Sequence, residues 1–166
     1  MDALKALGSA GFFRDVLDAS ALERLAGAAR PVTFAKGAPL MRQGEIGASL
    51  FLIESGKVAV SVHEPGGARK LARLGPGDIV GEMSLLTGAR RSATVTAEGK
   101  VAAFEIGKLA MEPILAAAPG LVDRFAAMME QRQGELARQH SDLARWNAVG
   151  LGRAEIAARM TAFYSG

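Results

Sequence analysis

The chain has 166 residues, 49% of them hydrophobic, 22% charged and 5% aromatic, with 20 Gly, 6 Pro and no Cys. That length supports one domain with its own core and room for a helical appendage. The missing cysteines exclude disulfides, thiolate metal sites and cysteine nucleophiles, and the two histidines, His63 and His140, are too few and too far apart for a histidine-rich zinc or iron centre.

A balance of 20 Lys and Arg against 17 Asp and Glu gives a net charge of +3. The basic residues are spread along the chain with no basic tail, unlike a nucleic-acid binder with one concentrated basic face. No apolar stretch approaches the roughly 20 residues that span a bilayer, and the start MDALKALGSAGFF lacks the apolar run of a signal peptide. A soluble chain in a cytoplasmic setting is expected.

Leu4, Leu7, Phe12, Phe13, Val16, Leu17, Leu22 and Leu25 recur at helical spacing, with Asp18 and Ser20 as N-cap candidates, so residues 1–30 read as one or two short helices. From Pro31 the pattern changes to brief apolar runs (VTF, PLM, SLFLI, VAVSV, KLARL) punctuated by Gly, Pro and Asp, which indicates a small antiparallel barrel or sandwich. Val58, Val60 and Val62 alternate with Ala59, Ser61 and His63, giving that strand one core face. Residues 92–106 supply two more strands around Glu98-Gly99, with Ala93, Val95 and Ala97 on one face and Ala102, Phe104 and Ile106 on another. The period then lengthens. Leu109, Met111, Ile114 and Leu115 mark a helix that stops before Pro119, and a longer one runs from about Gly120 to Trp146 on Leu121, Phe125, Met128, Met129, Leu136 and Leu143. After an interruption at residues 147–152, a short amphipathic helix carries Ile156, Met160 and Phe163 on one stripe.

The stretch GDIVGEMSLLTGARRSATVTA, residues 77–97, carries the chemistry. Gly81 permits positive φ or close backbone approach. Residues 82–86 can form a single helical turn whose first amides are donors for an anion. Arg91 follows nine residues after Glu82 and is succeeded by Ser92. Amides plus one guanidinium suffice to hold a singly charged phosphate. A carboxylate beside that site would instead accept from neutral hydroxyls such as those of a ribose.

At these residues the sequence resembles the cyclic nucleotide-binding domain family, whose phosphate-binding cassette appears as Gly81-Glu82-Met83-Ser84-Leu85-Leu86 and Arg91-Ser92-Ala93-Thr94-Val95. The resemblance extends from about Phe12 to Pro119 and includes the Gly44-to-Gly47 turn, the Phe51-Leu52-Ile53 strand, the Ser55-Gly56 turn and Gly75-Pro76-Gly77-Asp78. It implies a mainly β α+β fold: an antiparallel β-roll or jelly-roll barrel between N-terminal and C-terminal helices. By the same resemblance, Glu82 is the ribose 2′-hydroxyl acceptor, Arg91 the phosphate clamp, and Gly81, Met83 and Ser84 backbone contacts. Ser92 is an additional phosphate or purine contact. The ligand is cAMP or cGMP, with no metal or cofactor. Val80 stands where the family often has an aromatic residue, and Arg90 where it often has proline. Neither change removes a ligand group.

The implied organisation is N-terminal helices over 1–30, a β-roll over 31–106 with its cassette at 81–95, hinge and lid helices over 107–146, and a linker with a short helix over 147–166. Met129 or Arg132 are candidates for a lid over the base. Arg90, His63 and His140 read as solvated surface. No catalytic set, Walker A motif or GxGxxG before a helix occurs, so an enzyme is not expected. The expected role is a regulatory sensor that couples ligand occupancy to its C-terminal helices, as the cytoplasmic, inner-membrane-tethered tail of a bacterial ion channel with its pore domain upstream. The alternatives are the effector domain of a cAMP-receptor-type transcription regulator without its helix-turn-helix, or a free-standing sensor. No direct nucleic-acid contact is expected, and homo-oligomerisation of the full protein is left open.

Overall fold

The computed structural model describes residues 2–139 and 152–165. Three helices open the chain, α1 (Ala3–Ser9), α2 (Gly11–Arg14) and α3 (Ala19–Ala28). The carboxylates of Asp2 and Asp18 accept from the amides of Lys5 and Ala21, each at 2.8 Å, and so satisfy first-turn donors that have no partner within the helix. Of the two cap candidates Asp18 is the one used; Ser20 lies inside α3. Leu7, Phe12, Phe13, Val16, Leu17 and Leu25 are buried, whereas Leu4 faces outward.

Eight strands follow: β1 (Arg30–Phe34), β2 (Pro39–Met41), β3 (Ser49–Ser55), β4 (Val58–Glu64), β5 (Gly67–Leu74), β6 (Ile79–Val80), β7 (Thr94–Ala97) and β8 (Val101–Gly107), with a short helix α4 (Glu82–Thr87) between β6 and β7. They form two four-stranded antiparallel sheets, ordered β1-β8-β3-β6 and β2-β7-β4-β5. The jelly-roll expectation holds, but the barrel is not closed. The edge strands β6 and β2 are two and three residues long, and each sheet keeps its own edges, as in double-sheet jelly rolls.

Two apolar layers result. Between the sheets lie Met41, Phe51, Ile53, Val58, Val60, Val62, Val80, Val95, Val101 and Ala103. On the outer face of the first sheet, Leu50, Leu52, Phe104 and Ile106 pack against the helices. β3 and β8 are therefore buried on both faces, and read as continuous apolar runs. β4 turns its second face to solvent, and reads as alternation.

The C-terminal helices are α5 (Lys108–Ala117), α6 (Leu121–Gln139) and α7 (Arg153–Ser165). Leu109, expected on the buried stripe of α5, is 83% exposed. The helix starts at Lys108, which places Leu109 in a solvent-facing first turn and leaves Met111, Ile114 and Leu115 as the buried side. Phe125 of α6 is fully buried against Phe12 and Phe13, with ring centroids at 5.5 and 6.5 Å. The expected continuation of this helix through residues 140–146, with His140 and Leu143, and the interruption at residues 147–151 lie outside the described residues. Among the described residues no helix is long and apolar enough to cross a membrane.

α7 folds back along α6. The Glu130 carboxylate accepts from the Arg153 amide at 2.9 Å, and Ile156 and Met160 are fully buried in the helical core. Near its end the Tyr164 hydroxyl donates to the Leu85 carbonyl of α4 at 2.6 Å. Burial, with the Glu112 carboxylate adding to it, pushes that phenol well above the ordinary tyrosine range. A folded-state pKa above the unfolded one stabilises the fold fully below the unfolded value, and that stability is lost as pH rises through the folded value. Tyr164 is the sole tyrosine, so the phenolate absorbance band reports it alone. We expect that band to be absent from the folded protein at about pH 10, where a free phenol is half ionised, and to appear only with alkaline undocking of α7. Half-ionisation near pH 10 with α7 intact would contradict this environment.

Candidate functional site

β6 delivers the chain to Gly81, whose φ is 86°, a left-handed conformation that turns the strand directly into α4. Space is as restrictive as backbone. A Cβ on Gly81 would stand 2.5 Å from Arg91 Nη1, 2.9 Å from Met41 Cε and 3.0 Å from the Ser49 carbonyl oxygen. After α4 the chain reverses at Gly88, φ 74°. The Ser84 hydroxyl donates to the Ala89 carbonyl at 2.7 Å and ties the returning loop to the helix.

Arg91 is fixed at both levels. Its amide donates to the Glu45 carbonyl at 2.9 Å and its carbonyl accepts from the Gly44 amide at 2.8 Å. Its side chain is 7% exposed, with Nη1 donating to the Ser49 carbonyl at 2.5 Å and Nη2 to the Ser49 hydroxyl at 3.1 Å. That hydroxyl donates onward to Glu105 Oε2 at 3.0 Å, and Glu105 is also bonded by Arg30. Ser49 thus accepts from one charged group and donates to another, using its hydroxyl in both senses. The register makes this possible: Ser49 pairs with Gly107 and Phe51 with Glu105, so Ser49 and Glu105 are diagonal neighbours on one sheet face.

Burial pulls the Arg91 guanidinium below the usual arginine value, and the carboxylates of Glu105, Glu45 and Glu82 only partly oppose that shift. A buried cation whose desolvation outweighs its counter-charges favours an anion placed beside it.

Of the residues singled out in the sequence, Gly81, Glu82 and Arg91 come together here; Glu82 is 5% exposed and acts electrostatically on Arg91. Ser84 is buried in the same turn and Ser92 is half-buried beside Arg91. The Met83 side chain is partly buried and packs against the helical core. Arg90 is exposed and donates to the Gly44 carbonyl at 3.0 Å. His63 is exposed on its strand. Met129, a lid candidate, is buried in the helical core; the Arg132 side chain lies outside the described residues. Ser49 and Glu105 were not singled out, and Gly47 only as the end of the Gly44-to-Gly47 turn, although a lone carboxylate in the run Val101–Ile106 was a usable signal. Among the described residues no cluster of three His, Cys, Asp or Glu side chains could hold a metal ion.

The family model for the cyclic nucleotide-binding domain matches residues 31–118, more than half of the chain. The chain belongs to this family. The chain is also similar to parts of several curated proteins. The acetyltransferase Pat of Mycolicibacterium smegmatis is 40% identical over 113 residues, 68% of this chain and 34% of that protein. A CRP-like cAMP-activated global transcriptional regulator of Mycobacterium tuberculosis is 30% identical over 139 residues, 83% of this chain and 60% of that protein. A cyclic nucleotide-gated potassium channel of Rhizobium etli is 30% identical over 118 residues, 71% of this chain and 32% of that protein. The chain thus spans from a third to under two thirds of these relatives. Among solved structures, the N-terminal domain of a transcriptional regulator from Streptomyces coelicolor is 28% identical with a TM-score of 0.67, over 78% of this chain and 93% of that one.

The seat of Arg91 yields a prediction. A Cβ on Gly47 would stand 2.5 Å from Arg91 Nε and 2.7 Å from its Cζ, so Gly47→Ala must displace the guanidinium. We expect a loss of about 1–3 kcal/mol in urea unfolding together with weakened anion binding. Wild-type stability and binding in this variant would contradict the packing described.

Proposed function

We propose that this domain is a non-catalytic cytoplasmic sensor that binds cAMP or cGMP at the Gly81–Arg91 site and passes its occupancy to the helices after Gly107. The observation that carries the reading is the nearly buried Arg91 guanidinium, with two bonds to Ser49 and carboxylates that only partly offset its desolvation. In this reading Arg91 takes the cyclic phosphate through its planar fork, and the amides at Gly81, Met83 and Ser84 add donors. Glu82 accepts from the ribose 2′-hydroxyl, and Ser92 meets the phosphate or the purine. The ligand-binding body is 31–106, with 1–30 as N-terminal helices and the relay after it.

The three relatives are named an acetyltransferase, a cAMP-activated transcriptional regulator and a cyclic nucleotide-gated potassium channel, the last two at the same 30% identity. The proposal therefore concerns the sensor they share. The channel tail expected from the sequence has no advantage over the regulator on these observations.

Energetically the relay is permissible. Driving a two-state switch nearly to completion takes about 5.5 kcal/mol of differential affinity, and micromolar binding supplies about 8 kcal/mol in total. Calorimetry with cAMP and cGMP tests the site. Arg91→Ala is expected to cost on the order of 2–5 kcal/mol of binding, and Arg91→Lys to fail as well, because a point charge cannot reproduce the fork. Wild-type affinity in either variant would overturn the assignment.

A further inference from the structure

α7 packs along α6 and also reaches α4, part of the segment that the ligand would engage. α4 has six residues, too short to be stable without tertiary support. Its Leu85 carbonyl lies in the last turn, where carbonyls have no partner within the helix; the amide four residues on, that of Ala89, turns to the Thr87 hydroxyl at 3.4 Å instead. The Tyr164 hydroxyl fills this gap at 2.6 Å. One residue earlier on α7, the Phe163 ring lies against Gly88, so closely that a Cβ there would meet ring carbons at 2.6 Å. Lys108 Nζ stands 4.3 Å from the Phe163 centroid and 5.7 Å from that of Tyr164, and the two rings meet edge to face at 5.1 Å. Ile156 and Met160 anchor the same helix in the core that holds Leu85 and Leu86. The C-terminal half of α4, which follows Gly81 and Glu82 and leads back to Arg91, is thereby tied to one helix remote in sequence.

We propose that α7 is a clamp on the phosphate-binding segment. Phe163 and Tyr164 are positioning residues that hold residues 81–91 in their binding geometry, so a docked α7 raises nucleotide affinity. This rests on the reading that the site binds a cyclic nucleotide. A segment held in its competent arrangement binds in proportion to the fraction of time it is competent, and the coupling is reciprocal, so bound nucleotide must tighten α7 in return.

The test pairs calorimetry with amide exchange, using cAMP at a temperature where every variant is fully folded. Tyr164→Phe keeps the ring and removes only the donor, and is expected to weaken cAMP binding about threefold to tenfold. Phe163→Ala is expected to weaken it at least as much. Arg159→Ala breaks only the exposed pair with Glu155 on the same helix, and should bind as wild type does. In the wild-type chain cAMP should slow exchange across residues 153–165, which a merely structural role for α7 would not require. Unchanged affinity in both ring variants, or exchange in α7 that is unchanged or faster with cAMP, overturns the clamp. If the wild-type chain binds neither cAMP nor cGMP, the nucleotide reading falls by itself. Ligand-free exchange then decides the clamp: faster exchange at residues 82–88 in the ring variants sustains it, and unchanged exchange overturns it.

Discussion

A guanidinium buried to 7% exposure cannot shed its charge and must be surrounded by acceptors or counter-ions. Much of the architecture around α4 meets that constraint. β3 begins at Ser49, just before its buried run, and the Ser49 carbonyl and hydroxyl both face Arg91. β8 places Glu105 one diagonal step away, behind that hydroxyl. The Gly44–Gly47 loop holds the Arg91 backbone and, by lacking a side chain at Gly47, leaves room for the guanidinium. Gly81 does the same from the α4 side. Burial still holds the guanidinium below the usual arginine value despite the carboxylates of Glu105, Glu45 and Glu82, and the proposed anion site draws on that together with the Ser49 seat.

The two apolar layers divide the labour. The inter-sheet layer makes the sheets a stiff frame for Ser49, Arg91 and Glu105, while the helical layer joins α4 to α5, α6 and α7 through Leu85, Leu86, Phe125, Ile156 and Met160. α4 therefore belongs to both systems: one side holds the turn at Gly81, the other packs among helices. Leu85 and Leu86 are the packed contacts through which the proposed relay would run.

Legibility in the sequence followed local physics. The period-2 pattern of β4 was readable because one of its faces is wet, and the inward set Ala93, Val95 and Ala97 because small and branched side chains alternate there. Gly81, Glu82 and Arg91 could be joined because the turn that unites them is itself local. What was missed depends on pairings that no window spans. Ser49 meets Glu105 across 56 residues and Tyr164 meets Leu85 across 79. Phe163 could be placed on the stripe of Ile156 and Met160, but not its contact with Gly88, which is set by how α7 folds back along α6. Leu109 was misplaced because the helical period gives a face but not the residue at which the helix starts. The jelly roll was legible, but not whether it closes: strand number is visible in the sequence, and whether two short edge strands bond to each other is not.

The central claim is that binding at this site is organised by the cyclic phosphate meeting Arg91. The most direct measurement compares cAMP with adenosine, which keeps the base and the ribose but has no phosphate, by calorimetry on the wild-type chain. The account predicts that adenosine binds at least about thirtyfold more weakly, the loss expected when a buried charge loses its partner. Equal affinity for the two would contradict it.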